Sequence, residues 1–338
     1  MTKSRKKWLV FALLCFWFFL SMFPLYWIVI TSLKSPPDVN RGATYLPYVD
    51  FSPTLKTYKE AVTGKRGDYF NTFLNSAIIA VSATLVSVVL GSMVAYSLVR
   101  FIFRIRLLAG VFFLLSGMGT YLFFVQIIKI PEIYAMGLAF LVALTVGVVS
   151  NMFKLPGPVL KNKDIVFWFI SQRMMPPIVS AFALYLLYSK IGKAGFKMLD
   201  SYFGLTLCYV AFSLPIVVWL MRDFFQSLPV ELEEAALVDN VPRYRIFLGI
   251  VVPISLPGLI AVSLITLGFI WNEFLFSLIL TSGKWQTLPI LLAGQNTYRG
   301  DEWWAISVAA VIAVGPMVIL TIFLSRLMRS GLLLGSIK

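Results

Sequence analysis

Residues 3–33 read KSRKKWLVFALLCFWFFLSMFPLYWIVITSL: the basic side chains Lys3, Arg5, Lys6 and Lys7, then an uncharged apolar run from Trp8 to Leu33. A membrane-spanning helix needs about 20 mostly apolar residues, and this run exceeds that. It is too long for a signal-peptide core and no small-residue cleavage site follows it, so it reads as an uncleaved signal anchor. Basic residues ahead of it place the N-terminus in the cytoplasm. Similar runs recur at roughly 71–99, 107–128, 131–153, 165–189, 201–221, 250–280 and 305–325. The sequence therefore predicts an all-α, polytopic membrane helical bundle of about eight spans.

Composition agrees. The 338 residues are 59% apolar and 13% charged, whereas soluble domains carry about 45–50% apolar and about 25% charged residues. An ordinary globular protein is excluded, and the 15% aromatic content excludes disorder. A net charge of +14 in a soluble protein would raise nucleic acid as a partner. Here the basic residues lie between apolar runs, where they orient a membrane protein, so no nucleic-acid partner is expected. Eight spans put Arg100/Arg104/Arg106, Lys154/Lys161/Lys163, Arg222/Arg243/Arg245 and Arg326/Arg329/Lys338 on the same side as the N-terminus. Both termini are then cytoplasmic. Cys15 and Cys208 fall inside apolar runs and are expected to be buried free thiols.

The organisation that follows is a first helix over 1–33, an extracytoplasmic loop over 34–70, a cytoplasmic loop over 222–249 and a cytoplasmic tail over 326–338. Loop 34–70 combines Pro36, Pro37, Pro47 and Pro53 with Tyr45, Tyr48, Phe51, Tyr58 and Tyr69. That composition fits either a docking surface or an interfacial aromatic belt.

A catalytic constellation is absent from the sequence. The lack of histidine removes His-based catalysis and the commonest metal ligand, and no metal site is expected. Gly64-Lys65 and Gly283-Lys284 lack the upstream glycine spacing and the following Ser/Thr of a phosphate-binding loop. The chain is expected to bind no cofactor and to hydrolyse no ATP itself. The paired carboxylates Glu233 and Glu234 lie in a polar loop outside the membrane. Within the spans, Arg173 precedes Met174-Met175-Pro176-Pro177, and Asn272 and Glu273 follow Trp271. Polar groups at membrane depth face a cavity or the bundle interior. These three either line a translocation path or hold helices together, the latter by ion pairing or by bonding carbonyls freed at the prolines.

The most informative segment is SLPVELEEAALVDNVP, residues 227–242. Pro229 suits the first turn of a helix, and Glu231, Glu233 and Glu234 complement the positive end of its dipole. Leu228, Leu232, Ala235/Ala236 and Asp239 recur at helical spacing, Asn240 can take the left-handed conformation that stops a helix, and Pro242 prevents continuation. Interfacial membrane helices are typically basic, whereas 223–239 carries acidic residues and only apolar and neutral company. Docking into a groove on a protein partner is the better reading.

Glu234-Ala235-Ala236, Asp239-Asn240, Phe247, Ile250, Pro253 and Pro257 together resemble the EAA loop of the permease subunits of binding-protein-dependent ABC importers. The family usually has glycine where this chain has Asn240, and asparagine is the next best residue for a left-handed position. The likeness continues in Phe73-Leu74-Asn75-Ser76, Ala95-Tyr96-Ser97-Leu98, Arg173-Met174-Met175-Pro176-Pro177, Trp271-Asn272-Glu273-Phe274-Leu275 and Thr287-Leu288-Pro289. These narrow it to the carbohydrate-uptake branch, similar to the second permease of the maltose system. The tail around Gly331 and Gly335 resembles the family's ending. The resemblance covers the chain except about 104–163, which reads as an inserted two-helix hairpin in a six-helix permease core formed by 71–103 and 164–325 behind the first helix.

The resemblance implies the transmembrane subunit of an ATP-driven importer for a sugar, oligosaccharide or polyol in the bacterial cytoplasmic (inner) membrane. Its partners would be a second homologous permease, two copies of an ATP-binding subunit that carry ATP and Mg, an extracytoplasmic solute-binding protein, and membrane lipid. Glu234, Ala235, Ala236, Asp239, Asn240 and Pro253 would make the coupling contact with the ATPase subunit, and Gly331 and Gly335 a tail contact. The rival is an ion-gradient-driven secondary transporter, a class often built from paired repeats with broken helices in matching positions. No such pairing is visible in this chain. The inserted hairpin, with its polar side chains near the span ends, is expected at the lipid-facing periphery.

Overall fold

The computed structural model describes residues 3–63, 69–153, 156–294, 296–297 and 300–329. In chain order the helices are α1 (Lys3–Ser32), α2 (Pro36–Asn40), α3 (Lys56–Val62), α4 (Tyr69–Arg100), α5 (Leu107–Leu122), α6 (Glu132–Met152), α7 (Asn162–Ser171) and α8 (Pro177–Lys193). They continue as α9 (Tyr202–Gln226), α10 (Glu231–Val238), α11 (Arg243–Ile246), α12 (Val252–Ile254), α13 (Leu256–Trp271), α14 (Leu275–Leu280), α15 (Leu288–Ala293) and α16 (Trp303–Arg329). Helix dominates because a peptide group in hydrocarbon must find its hydrogen-bond partner within its own segment.

Among the described residues, six helices are long and apolar enough to cross a membrane, or up to eight if each of two bent pairs is one span. The expected spans 165–189 and 250–280 are those two, and neither is continuous. Residues Asn162–Met174 meet α8 at 90°, and Arg243–Ile254 meets α13 at 77°. Proline forces the first break: the residue before a proline is driven out of the α region, and Met175 (ψ 136°) and Pro176 (ψ 121°) are both extended. In the second, Pro253 and Pro257 each withhold an N–H from the helical ladder on either side of Ser255. A π-helical turn, Phe247–Val251, precedes that bend. The expected run to residue 280 ends at Trp271, and Leu275–Leu280 is a helix of its own.

The chain divides into two compact units, residues 1–76 with 286–322 and residues 77–285 with 323–338. In the first, residues 34–63 are folded. Thr54 N donates to Leu33 O at 2.8 Å, and Tyr58 OH donates to Ser32 Oγ at 2.8 Å. Lys34 is buried, its ammonium 4.5 Å from the Trp27 ring centre and 5.2 Å from that of Phe51 while donating to Thr44 O at 2.7 Å. Burial holds its amine below the usual lysine range. The aromatic set splits by location: Phe51 and Tyr69 are buried, whereas Tyr48 is 88% exposed at the loop tip. Cys15 is exposed on α1, because this helix packs little of its surface within the chain, and Cys208 is buried as expected.

The second unit is built around α9. Val217, Val218, Met221 and Phe225 of α9 are buried against Ala95, Tyr96 and Leu98 of α4, together with Ile246, Val251 and Val262. Two glycines set the approach distances. A Cβ on Gly91 would lie 2.5 Å from Val217 Cγ1, and one on Gly258 would lie 2.6 Å from the Phe224 ring. Helices α5 and α6 form an antiparallel hairpin over a stripe of Ala135, Ala139 and Ala143, with Gly117 facing Ala143 and Gly147 facing Phe113. The hairpin's base is closed by antiparallel pairing of Ile105–Arg106 with Val159–Leu160. There Asn162 Nδ2 donates to Leu98 O and Phe101 O, both at 2.6 Å. Most of its apolar surface is exposed.

Asp200 ties the α8–α9 turn to the segment after α14. Its N–H donates to Leu280 O at 2.8 Å, and its carboxylate accepts from Lys284 N and Trp285 N, both at 3.1 Å. Burial pushes this carboxyl up, but the backbone donors of 282–285 outweigh it and hold it below the usual carboxylate range.

Two outcomes follow from these contacts. Gly91→Ala and Gly258→Ala overpack helix contacts and should each cost about 1–3 kcal/mol, read as a lowered thermal midpoint in detergent, whereas Gly110→Ala, which faces open space, leaves it unchanged. For Asp200, a depressed folded pKa means that its contribution is present at neutral pH and is lost as pH falls through the folded value. The midpoint should therefore drop below about pH 4, and Asp200→Asn should lower it at pH 7 and remove that acid-dependent part.

Candidate functional site

Helix α10 starts at Glu231, two residues later than a proline at the first helical position would place it. Glu233 N and Glu234 N both donate to Val230 O at 3.0 Å, so Val230 is the N-cap and Pro229 precedes it. Its end follows the expected stop: Asn240 has φ 57°, Asn240 N donates to Leu237 O and Val241 N donates to Ala236 O, both at 3.0 Å. That is the Schellman pairing, in which a left-handed residue lets two terminal carbonyls find donors. All three acidic residues of the first turn, Glu231, Glu233 and Glu234, sit at the positive end of the helix dipole.

The two faces of α10 differ sharply. Glu233 and Ala236, three residues apart and so on one side, are buried; Glu231, Leu232, Glu234, Ala235, Val238 and Asp239 are exposed. The residues expected at helical spacing, Leu228, Leu232, Ala235/Ala236 and Asp239, divide here: Ala236 belongs to the core with Tyr96 and Ile246, and Ala235 faces out. Glu233 is the residue that sequence reasoning missed. Its Oε2 accepts from Tyr96 OH at 2.8 Å, its Oε1 accepts from Arg100 Nε at 2.8 Å, and Arg100 Nη2 lies 2.7 Å from the same Oε1. The available signals were an arginine closing an apolar run and a glutamate three residues before a small one. Pro253 is exposed on α12, at the bend rather than on α10. Gly331 and Gly335 lie outside the described residues.

Arg173, Asn272 and Glu273 do come together. They line a cavity of about 440 Å³ with Gln172, Phe212 and Phe269. Each is held differently. Glu273 caps α14, accepting from Phe276 N at 3.0 Å and Ser277 N at 3.3 Å. Asn272 Nδ2 donates to Gly268 O at 2.8 Å. Arg173 lies 5.4 Å from the Phe269 ring centre, with its side chain exposed in the cavity. Among the described residues no three of Cys, Asp and Glu converge as metal ligands.

A family model described as "Binding-protein-dependent transport system inner membrane component" matches residues 160–333. The chain belongs to this family. The permease is 26% identical over 321 residues to the trehalose/maltose transport system permease protein MalG of Thermococcus litoralis, covering 94% of this chain and 91% of that one. It is 26% identical over 322 residues to the diacetylchitobiose uptake system permease protein DasC of Streptomyces coelicolor, covering 94% and 92%. Its fold matches a chain from the crystal structure of a bacterial ABC transporter involved in the import of the acidic polysaccharide alginate, with a TM-score of 0.60 at 17% identity over 96% of this permease and 98% of that chain. The all-α membrane architecture thus recurs in a solved transporter.

The cavity residues separate by experiment. Glu273→Ala removes the cap of α14 and should cost about 1 kcal/mol, seen as a lower thermal midpoint, whereas Arg173→Ala should leave the midpoint unchanged and alter the transport rate in proteoliposomes. Equal destabilisation by both would make Arg173 a helix contact.

Proposed function

We propose that this permease carries a carbohydrate across the bacterial cytoplasmic membrane by alternating access, driven by ATP hydrolysis on a separate subunit that docks on α10. The observation that carries this reading is the two-faced helix: one side is built into the core, and the other offers an acidic, small-residue surface of Glu231, Glu234, Ala235 and Val238. Such a surface is unsuited to an anionic membrane leaflet and suited to a protein groove with a basic or hydrogen-bond-donor wall. Asp239 and Asn240 end the helix at the rim of that face, and Pro253 marks the bend through which motion reaches α13.

The partners are a second homologous permease, two ATP-binding subunits and an extracytoplasmic solute-binding protein that delivers substrate. The permease itself acts as no enzyme and holds no cofactor; ATP and Mg belong to the partner. A carbohydrate cargo is supported by the names of relatives, among them a sulfoquinovosyl glycerol permease of Agrobacterium fabrum, 24% identical over 322 residues. Arg173, Asn272 and Glu273 supply a polar wall beside the aromatic rings of Phe212 and Phe269, a combination suited to sugar hydroxyls and ring faces.

The test is ATPase activity of the reconstituted complex with binding protein and a panel of mono- and oligosaccharides, one of which should stimulate hydrolysis. Glu234→Lys and Val238→Asp, both outward, should leave the permease at normal levels in the membrane and abolish co-purification of the ATPase subunit. Ala236→Trp should instead lower the permease's own level, since Ala236 is buried. Normal assembly and stimulation in both outward variants would refute docking on α10.

A further inference from the structure

Helix α10 has eight residues, and a helix that short is marginal by itself. Something must hold it in register against the membrane-spanning part of the chain. Ala236 and Leu237 give it an apolar footing in the core, but apolar contacts are non-directional and permit sliding. Glu233 supplies the direction. Tyr96 and Arg100 are four residues apart, one above the other on α4, and each bonds a different oxygen of the same carboxylate, at 2.8 Å in both cases. Rotation or axial slip of α10 relative to α4 would break at least one of these bonds.

The surroundings leave the carboxylate little access to water, its side chain being 7% exposed. The Tyr96 ring lies 4.8 Å from that of Phe247, 6.0 Å from that of Phe225 and 6.5 Å from that of Phe101, and Arg243 sits over Phe101 at 5.0 Å. Among the described residues Glu233 is the only buried carboxylate, and a charge-assisted bond strengthens where the local dielectric is low.

We propose that Glu233, gripped by Arg100 and Tyr96, is a positioning residue that makes α10 and the cytoplasmic end of α4 one rigid lever, so that displacement of the outward face of α10 moves α4 with it. This rests on the coupling reading of α10 and adds the element that receives the motion. It divides the adjacent acidic pair by task, Glu234 facing the partner and Glu233 facing inward.

The experiment uses the full complex with Cys15 and Cys208 replaced by serine and spin labels at Ile102→Cys and at Val230→Cys, the N-cap of α10 and outside the docking face, which are 83% and 39% exposed. In the otherwise unchanged permease the label-to-label distance should be single, narrow and the same with and without ATP. Glu233→Gln and Arg100→Met should broaden it and cut stimulation by loaded binding protein roughly tenfold, a modest coupling between linked sites, with the ATPase subunit still co-purifying. A distance that stays narrow, or stimulation at the parental level, overturns the proposal. Should the single variants fail to accumulate, Arg100→Met with Glu233→Leu decides, because apolar replacement of a buried pair usually preserves stability; a broad distance supports the lever and a narrow one overturns it. Glu234→Lys separates the two readings. Retention of the ATPase subunit in that variant refutes docking, whereas the distance alone judges the lever.

Discussion

Every peptide group that enters hydrocarbon must be hydrogen-bonded inside the protein, and the architecture follows from that constraint. Long uninterrupted helices satisfy it directly, as in α4 and α9. Where two prolines fall close together, at Pro176-Pro177 and at Pro253 and Pro257, the chain breaks and the freed groups are taken up nearby, whereas the single prolines Pro24, Pro215 and Pro316 lie inside continuous helices. The 90° turn before α8 and the 77° turn at Ser255 are such places, and the carboxylate of Glu273 closes the start of α14 after α13 stops at Trp271. Irregular backbone at membrane depth is tolerated only where protein or a cavity surrounds it. The cavity that holds Arg173, Asn272 and Glu273 lies beside such a break.

The region around α10 shows how one face of a short helix is left exposed without leaving the helix loose. Its inward side is secured twice, by Ala236 in the core and by Glu233 on Arg100 and Tyr96. A buried pair of this kind adds little net stability over an apolar replacement, but removal of one member leaves an uncompensated charge. Its two bonds, to separate oxygens of one carboxylate, are directional where the apolar contacts are not. With the inward side fixed, the outward side can consist of Glu231, Leu232, Glu234 and Ala235, residues that serve no core.

The hairpin α5–α6 is secured by other means. Small residues, Ala135, Ala139, Ala143, Gly117 and Gly147, let two apolar helices approach closely, the device that membrane helices use when the hydrophobic effect gives no preference for helix over lipid. Its base is pinned by a short strand pair and by Asn162. The hairpin thus holds itself together, with Glu132 reaching Lys190 on α8 at 2.7 Å.

The sequence by itself determined the all-α membrane class, the approximate spans, the stop at Asn240 and the family, because apolar run length, basic flanks and cap residues act locally and are written in consecutive positions. It also marked Pro176-Pro177 as a place where backbone groups are freed. It did not show that the break amounts to 90°, since the direction of the chain after a proline depends on what the next helix packs against. Nor did it show which glutamate of the adjacent pair turns inward: Glu233 and Glu234 are chemically identical, and only the placement of Arg100, 133 residues earlier in the chain, separates them. The same holds for Arg173 and Glu273, a hundred residues apart in sequence and on one cavity wall in space. Long-range pairing of polar groups is decided by tertiary structure, because the cost of burying a charge depends on a partner that local sequence does not name.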